Sequence, residues 1–98
     1  MIALKVRDTD FGKMIFLCDE KLLGAELKDE KISMKINREF YDEFLDEKKE
    51  RKKIIDILKE SEIVNAIGEK SVEIVREVFK IKKIFYVKDV PHIQIYTI

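Results

Sequence analysis

The chain has 98 residues, and its twenty acidic and twenty basic residues give a formal net charge of zero. This length predicts a single domain spanning residues 1–98. With 46% hydrophobic and 41% charged residues, the composition excludes a disordered chain and a membrane-embedded one. The neutral balance also argues against strong nonspecific binding of nucleic acid through charge alone.

Two further features predict a cytoplasmic protein with no membrane association. From Met1 the chain reads directly into a strand, without the basic leader and apolar block of a signal peptide. Cys18 is the only cysteine, so it cannot form an internal disulfide and offers no zinc-binding spacing.

Abundant Lys and Glu with few amide side chains are also typical of hyperthermophile proteins.

The first third of the chain has the pattern of strands. Residues 2–7 alternate apolar and polar side chains, and residues 13–18 form a more apolar strand after a turn at 8–12. Asp19 is suited to cap a single helical turn that ends at Gly24. Residues 32–36 alternate again and predict a third strand.

Helical patterns follow. Residues 47–60 predict a helix whose first half is charged and whose second half is apolar, residues 61–67 continue it, and Gly68 ends it. Residues 69–79 predict another helix, because Val72, Val75 and Phe79 share one face.

Residues 84–87 and 92–98 read as strands, and Pro91 favours an edge position for the last one. The element order is ββ(short α)β–αα–ββ. It predicts an α+β fold, a small mixed or mostly antiparallel sheet with two to three helices packed on one face. We expect Val72, Val75 and Phe79 to pack against the apolar side of the 32–36 strand.

Four segments together resemble a known family. They are residues 60–75 with Asn65 and Gly68, residues 18–24, the Phe40-Tyr41 pair, and residues 90–94. The chain resembles the archaeal domain-of-unknown-function family numbered 424. The resemblance implies an archaeal housekeeping protein of the cytoplasm and implies no activity. A glycine that the family pattern has soon after Tyr41 is missing here.

The join at residues 65–72 also resembles a degenerate helix-hairpin-helix element, in which backbone N–H groups bind a nucleic-acid phosphate. Gly68, Lys70 and Ser71 occupy fitting positions, and a helix N-terminus attracts anions. Ala66 replaces the first glycine of that motif, and Glu69 brings a negative charge. The alternative is that Gly68 is a plain helix stop and Asn65 bonds nearby carbonyls.

His92 is the only histidine, so an acid/base or ligand role is one interpretation. A hydrogen-bonded structural histidine is the favoured alternative, because no second histidine can complete a metal site. Cys18 stands beside Asp19 and Glu20, whose charges disfavour a thiolate nucleophile. The basic run at 48–53 follows acidic residues and indicates a solvated helix face.

Tyr41 belongs to an aromatic pair that is suited either to stack on a base or to close the end of the core. The candidate binding residues are therefore Asp19, Tyr41, Asn65, Gly68, Lys70 and His92. We expect Asn65, Gly68 and His92 to line one depression, with Tyr41 or Asp19 near its rim. No catalytic residue, metal site or cofactor is predicted, and an enzyme is disfavoured.

Three functions remain open. The first is a binding module for RNA or a ribonucleoprotein of the translation machinery. The second is a protein-interaction module: we expect the last strand to be paired on both sides, and if only one of its neighbours lies in the same chain, the protein is a homodimer across this strand. The third is a small-ligand binder or enzyme centred on Asn65 and His92.

Overall fold

A computed structural model describes residues 1–97. Within this range the chain forms two sheets and two α-helices, as the composition and patterning predict for an α+β fold. The strands are β1 (Ile2–Thr9), β2 (Gly12–Asp19), β3 (Glu26–Lys28), β4 (Ser33–Lys35), β5 (Glu43–Leu45), β6 (Ile63–Ile67), β7 (Phe85–Val87) and β8 (Val90–Tyr96). The helices are α1 (Arg51–Lys59) and α2 (Glu69–Val78), and short 3₁₀ turns lie at Glu20–Leu22 and Arg38–Phe40.

The main sheet has six strands in the order β5-β1-β2-β6-β8-β7, and β3 and β4 form a separate hairpin. β2 and β6 run parallel, whereas the other paired strands of residues 1–97 run antiparallel. α2 packs on β2, β6 and β8, and α1 packs on α2. The predicted mixed sheet with helices on one face is confirmed.

The segment 63–67 is a strand, so the prediction that it continues the preceding helix is wrong. Its apolar residues fit a helical face as well as a strand buried on both sides, and periodicity does not separate the two. α1 instead ends near Ser61, whose hydroxyl donates to the Ile57 carbonyl over 2.8 Å. Pairing with both β2 and β8 then places the segment at the centre of the sheet.

α1 begins at Arg51, four residues later than the sequence predicts. Asp46 is the reason, because its side chain accepts hydrogen bonds from the backbone N–H groups of Lys48 and Lys49 at 2.8 and 2.9 Å. This local turn competes with helical pairing over the first charged residues.

The sheet has an apolar core on each face. The helix side buries Leu4, Leu17, Val64 and their neighbours against α1 and α2. The other side buries Ala3, Cys18 and Val87 against the β3–β4 hairpin and the 36–41 segment. Our prediction that the apolar face of α2 packs on the 32–36 strand is therefore wrong, since the sheet separates them.

β8 lies inside the sheet, between β6 and β7, so its predicted edge position is wrong. Pro91 is accommodated because it stands opposite Gly68, at the end of the ladder. Gly68 N–H donates to the Pro91 carbonyl over 2.9 Å, and the Gly68 carbonyl accepts from Val72 N–H instead of from β8. The missing N–H of proline therefore leaves no strand partner unsatisfied. Ile98, the last residue of the predicted strand, lies outside the described residues.

Candidate functional site

The sheet face that points away from the helices is only partly covered. The β3–β4 hairpin and the 36–41 segment pack on the row that contains Ala3, Cys18 and Ile67. Two further rows extend beyond this cover. Their side chains define the open face, with Lys5, Phe16, Asn65 and Gln94 in one row and Arg7, Met14, Ile63 and Tyr96 in the other.

The open face carries two cations, Lys5 and Arg7 on β1, and two aromatic rings, Phe16 on β2 and Tyr96 on β8. Phe16 meets Phe40 edge to face with ring centroids 4.8 Å apart, and the Arg7 guanidinium lies 5.3 Å above the Phe40 ring. Tyr96 is 62% exposed, and the Lys5 ammonium lies 2.8 Å from the Asp42 carboxylate. Exposed rings beside cations are the side chains with which proteins hold unpaired bases.

A pocket of about 170 Å³ opens on this face between β2, β6 and β8. Phe16, Phe85 and Met34 are among its apolar wall residues, and Asn65, Gln94 and His92 are its polar ones. The volume is far above the ~10–15 Å³ that holds one water molecule. The pocket is therefore large enough for a small organic group.

Asn65 and Gln94 stand directly opposite each other on β6 and β8. The hydrogen bond from Gly68 N–H to the Pro91 carbonyl shows which opposite residues of β6 and β8 exchange backbone hydrogen bonds. Because such pairs alternate along the two strands, Asn65 and Gln94 form a pair without backbone hydrogen bonds between them. Side chains of such pairs approach most closely. Neither amide has a hydrogen-bond partner among residues 1–97, so both present free donors and acceptors to the pocket.

His92 is 2% exposed, and its ring stacks on Phe85 with centroids 5.1 Å apart. Its Nε2 atom is buried and has no hydrogen-bond partner within the described chain. The expectation of a hydrogen-bonded structural histidine is thus wrong for this nitrogen. Burial lowers the pKa of His92 below its ordinary value of 6.5, so the ring is neutral near pH 7.

Replacing His92 with Phe is expected to raise the free energy of unfolding by ~1 kcal/mol, because the buried nitrogen no longer lacks a partner. The gain should grow as the pH falls below 6.5. Below pH 6.5 the unfolded wild-type chain binds a proton at His92, whereas the folded chain does not. The stability of the wild type therefore falls with the pH until the lowered pKa of His92 in the folded state is reached. No residue that lines the pocket besides His92 is titratable. Urea unfolding of both proteins between pH 5 and 8 measures this difference, and an equal pH dependence would contradict it.

Asp19 occupies the N-terminus of α2. Its carboxylate accepts hydrogen bonds from Lys70 N–H at 3.1 Å, from Ser71 N–H at 2.8 Å and from the Ser71 hydroxyl at 2.8 Å. Asp19 is 1% exposed. The anion that the helix N-terminus attracts is therefore supplied by the chain itself, at the end of β2.

Gly68 makes this contact geometrically possible. It has a φ of +106°, and a Cβ atom at this position would overlap the Asp19 carboxylate. The join is a strand-to-helix turn, so the resemblance to a helix-hairpin-helix element does not hold, and the favoured alternative, a glycine that ends a helix, is wrong about the element that precedes Gly68. With Asp19 in place, the Lys70 and Ser71 amides of α2 are not available to a phosphate.

Lys70 points its side chain elsewhere. Its ammonium lies 3.1 Å from the Glu47 carboxylate, which also receives the N-terminal amine at 3.1 Å. Hydrogen bonds, from its own backbone, Lys70 and the amine, lower the pKa of Glu47 to about 2. Lys70 is therefore neutralised within the chain and does not reach the open face.

Cys18 and Tyr41 form a buried pair beneath the hairpin cover. Burial first, and the Asp19 charge second, raise the pKa of the Cys18 thiol to about 12. Burial and the neighbouring Cys18 also raise the pKa of Tyr41. A protonated thiol of this kind is a poor nucleophile, which agrees with the sequence argument against one.

Comparison with known proteins places the chain in a family. Residues 6–98 match the model of the family described as "Protein of unknown function (DUF424)". The chain belongs to this family. The family predicted from the sequence is therefore confirmed.

A solved structure has a similar fold. The chain is similar to the crystal structure of an uncharacterized conserved protein from Methanopyrus kandleri, with 30% identity and a TM-score of 0.80. The match covers 98% of this chain and 90% of that one. No curated protein matches the chain.

The structure divides the six candidate residues of this DUF424 family chain among three places. Asn65 and His92 line the pocket of the open face. Asp19 and Gly68 line a separate depression at the start of α2, beside which Lys70 pairs with Glu47. Tyr41 lies under the hairpin. The expectation of one shared depression is wrong.

Sequence reasoning missed Arg7, Phe16, Gln94 and Tyr96 as members of a surface. A signal was present, because Lys5 and Arg7 alternate with the apolar residues of β1, and Gln94 and Tyr96 alternate with those of β8. The order of the strands in the sheet is what brings these alternations to one face.

The described residues contain no group of three or more His, Cys, Asp or Glu side chains that suits a metal ion. Over the same residues, no helix is both long and apolar enough to cross a membrane.

Proposed function

We propose that this protein is a non-enzymatic binding module for single-stranded RNA, and that it binds through the open face. The observation that carries the proposal is the combination of exposed rings, unpartnered amides and cations on one sheet surface. This surface replaces the join at residues 65–72 as the proposed structural basis for RNA binding. Binding of single-stranded RNA also fits a role near the translation machinery.

Stacking supplies most of the binding energy in this proposal. Bases stack on aromatic rings with ~1–3 kcal/mol each, and every base has a face that can stack. Phe16 and Tyr96 lie in neighbouring rows of the open face, so successive bases of an extended strand can reach them. Single-stranded RNA is the ligand that suits this surface, because its bases are unpaired.

Charge makes a smaller contribution. Lys5 and Arg7 are the two cations of the open face, and the chain as a whole is neutral. Each phosphate contact to a single strand contributes about −0.7 to the slope of log K against log salt. Lys5 must exchange its Asp42 partner, 2.8 Å away, for a phosphate, so two contacts predict a slope no steeper than about −1.4, well below that of a protein that binds by charge.

Replacing Phe16 or Tyr96 with Ala is expected to weaken binding about tenfold, because each removes one stacking platform. Fluorescence anisotropy with labelled single-stranded RNA of about ten nucleotides, titrated at several salt concentrations, measures both the affinity and the slope. Tyr96→Ala is the cleaner variant, since an exposed side chain contributes little to folding.

The matched control is Lys52→Gln with Lys53→Gln, which removes two exposed cations from α1 on the opposite side of the sheet. These substitutions should leave the affinity within about twofold of wild type. Equal losses from the control and from Tyr96→Ala, or a slope several times steeper than about −1.4, would contradict binding through the open face.

A second candidate function, homodimer formation, rests on the free part of β8. β7 pairs only with Val90–His92. By the register of the ladder, the backbone groups of Gln94 and Tyr96 point away from β6. Within residues 1–97 no strand pairs with them on that side, and such edges readily accept a second strand.

Gln94→Pro tests pairing through this edge. It removes only an N–H that points outward, so the fold should persist while a dimer across β8 is lost. Sedimentation equilibrium of both proteins over a range of concentrations gives the result. A wild-type monomer at all concentrations would exclude this function and leave RNA binding untouched.

A further inference from the structure

The pocket on the open face has the features of a ligand site rather than a packing defect. Three polar side chains line it, the amides of Asn65 and Gln94 and the ring of His92. The Nε2 atom of His92 is enclosed by the fold, so His92 contributes the face of its ring, stacked on Phe85, rather than a polar contact. The two amides are therefore the groups that a ligand in the pocket can reach through hydrogen bonds.

The shape of the pocket restricts the ligand. Phe16 and Phe85 are aromatic wall residues, and the Phe85 ring is already stacked on the His92 imidazole at 5.1 Å with 16° between the planes. Asn65 and Gln94 place two amides side by side across the β6–β8 pair. A flat group with polar atoms along its edge satisfies both the apolar walls and the amides.

No formal charge lines this pocket. Burial keeps His92 neutral near pH 7, and the wall contains neither a carboxylate nor an ammonium. A phosphate or another small anion would find no cation there to compensate its loss of water. The pocket therefore suits a neutral flat group better than an anion.

We infer that this pocket, formed by Phe16, Asn65, Phe85, His92 and Gln94, accepts one unstacked nucleobase and gives the open face a base preference. The inference rests on the proposed RNA binding and adds specificity to it. Asn65 and Gln94 read the polar edge of the base, because each amide offers a donor and an acceptor. The His92 ring, stacked on Phe85, completes the wall of the pocket.

The pocket and the rest of the open face are expected to contribute differently to RNA binding. The other rings and cations of the open face hold any sequence, whereas the pocket discriminates among bases. A contact that reads a base edge with two hydrogen bonds is worth ~1–3 kcal/mol of discrimination, equivalent to about 5- to 150-fold in affinity. We expect at least a tenfold preference for one base.

The experiment compares four ten-nucleotide RNAs, an unstructured common sequence with A, C, G or U at one central position, by fluorescence anisotropy. The pocket variant is Asn65→Leu with Gln94→Met, which keeps the side-chain sizes and removes the amides. It should bind all four RNAs within about twofold of each other while it keeps the affinity of wild type for the least preferred RNA. His92→Phe keeps a flat ring in the wall, so it should preserve the fold and leave the preference intact.

Lys5→Met is the matched control, because Lys5 lies in the same row as the amides and outside the pocket. It should weaken all four complexes equally and leave the preference intact. Wild-type protein that binds all four RNAs equally well would overturn the inference while the RNA-binding function stands. Wild-type protein that binds none of them would overturn the proposed function itself. A preference that survives loss of the amides would assign specificity to another part of the surface and so refute the pocket.

Discussion

Gly68→Ala is expected to lower the free energy of unfolding by at least ~3 kcal/mol, because a left-handed backbone strain and a steric overlap act at the same residue. Gly68 has a φ of +106°, and the added Cβ would meet the carboxylate that caps α2. A domain of this size has only ~5–15 kcal/mol of stability. Urea or thermal unfolding of the variant measures the loss.

Gly24→Ala is the matched control for this substitution. Gly24 also has a positive φ, +83°, yet a Cβ there would have no heavy atom within 4 Å. It should therefore cost only the backbone term, ~1–2 kcal/mol. Combining Gly68→Ala with Asp19→Ala should cost less than the sum of the single effects, since the overlap disappears. Equal losses at the two glycines would contradict the role of the carboxylate.

The same residues show where sequence reasoning succeeded and where it failed. Gly68 was correctly identified as the residue that ends one element and starts α2. The element before it was predicted as a helix, because the spacing of its apolar residues satisfies both periods. Only pairing with β2 and β8 decides the outcome, and strand pairing between residues 49 positions apart is not visible in local sequence.

The candidate site was predictable in part for a similar reason. Asn65 and His92 were identified as special residues because of their chemistry, and they do line one pocket. Their partners Phe16 and Gln94 come from strands that are distant in sequence and adjacent in the sheet. Asp19 appeared suited to cap the short turn that follows it, and it caps α2 instead, 51 residues away. Such tertiary contacts depend on the order of the strands in the sheet. The alternation of apolar and polar residues along one strand does not reveal that order.

The capping role of Asp19 leads to the second large effect. Asp19→Ala is expected to destabilise the fold by ~3 kcal/mol, since it removes three hydrogen bonds to a buried carboxylate and leaves the first turn of α2 without acceptors. Asp19→Asn should cost less, because its amide oxygen still accepts from Ser71 while its NH₂ group faces a backbone donor. Chemical denaturation of the three proteins at pH 7 gives the order wild type, Asn, Ala.

Asp42→Ala supplies the comparison that separates burial from charge. Asp42 carries the same side chain and pairs with Lys5 at 2.8 Å, but it is exposed to solvent. Exposed ion pairs contribute ~0–1 kcal/mol, so its removal should cost well under half of the Asp19 effect. The two sites differ because Asp19 is 1% exposed and accepts three hydrogen bonds from α2, whereas Lys5 regains water when Asp42 is lost. An Asp19→Ala protein as stable as Asp42→Ala would show that α2 does not need its internal anion, and the N-terminus of α2 would again become a candidate for binding one from outside.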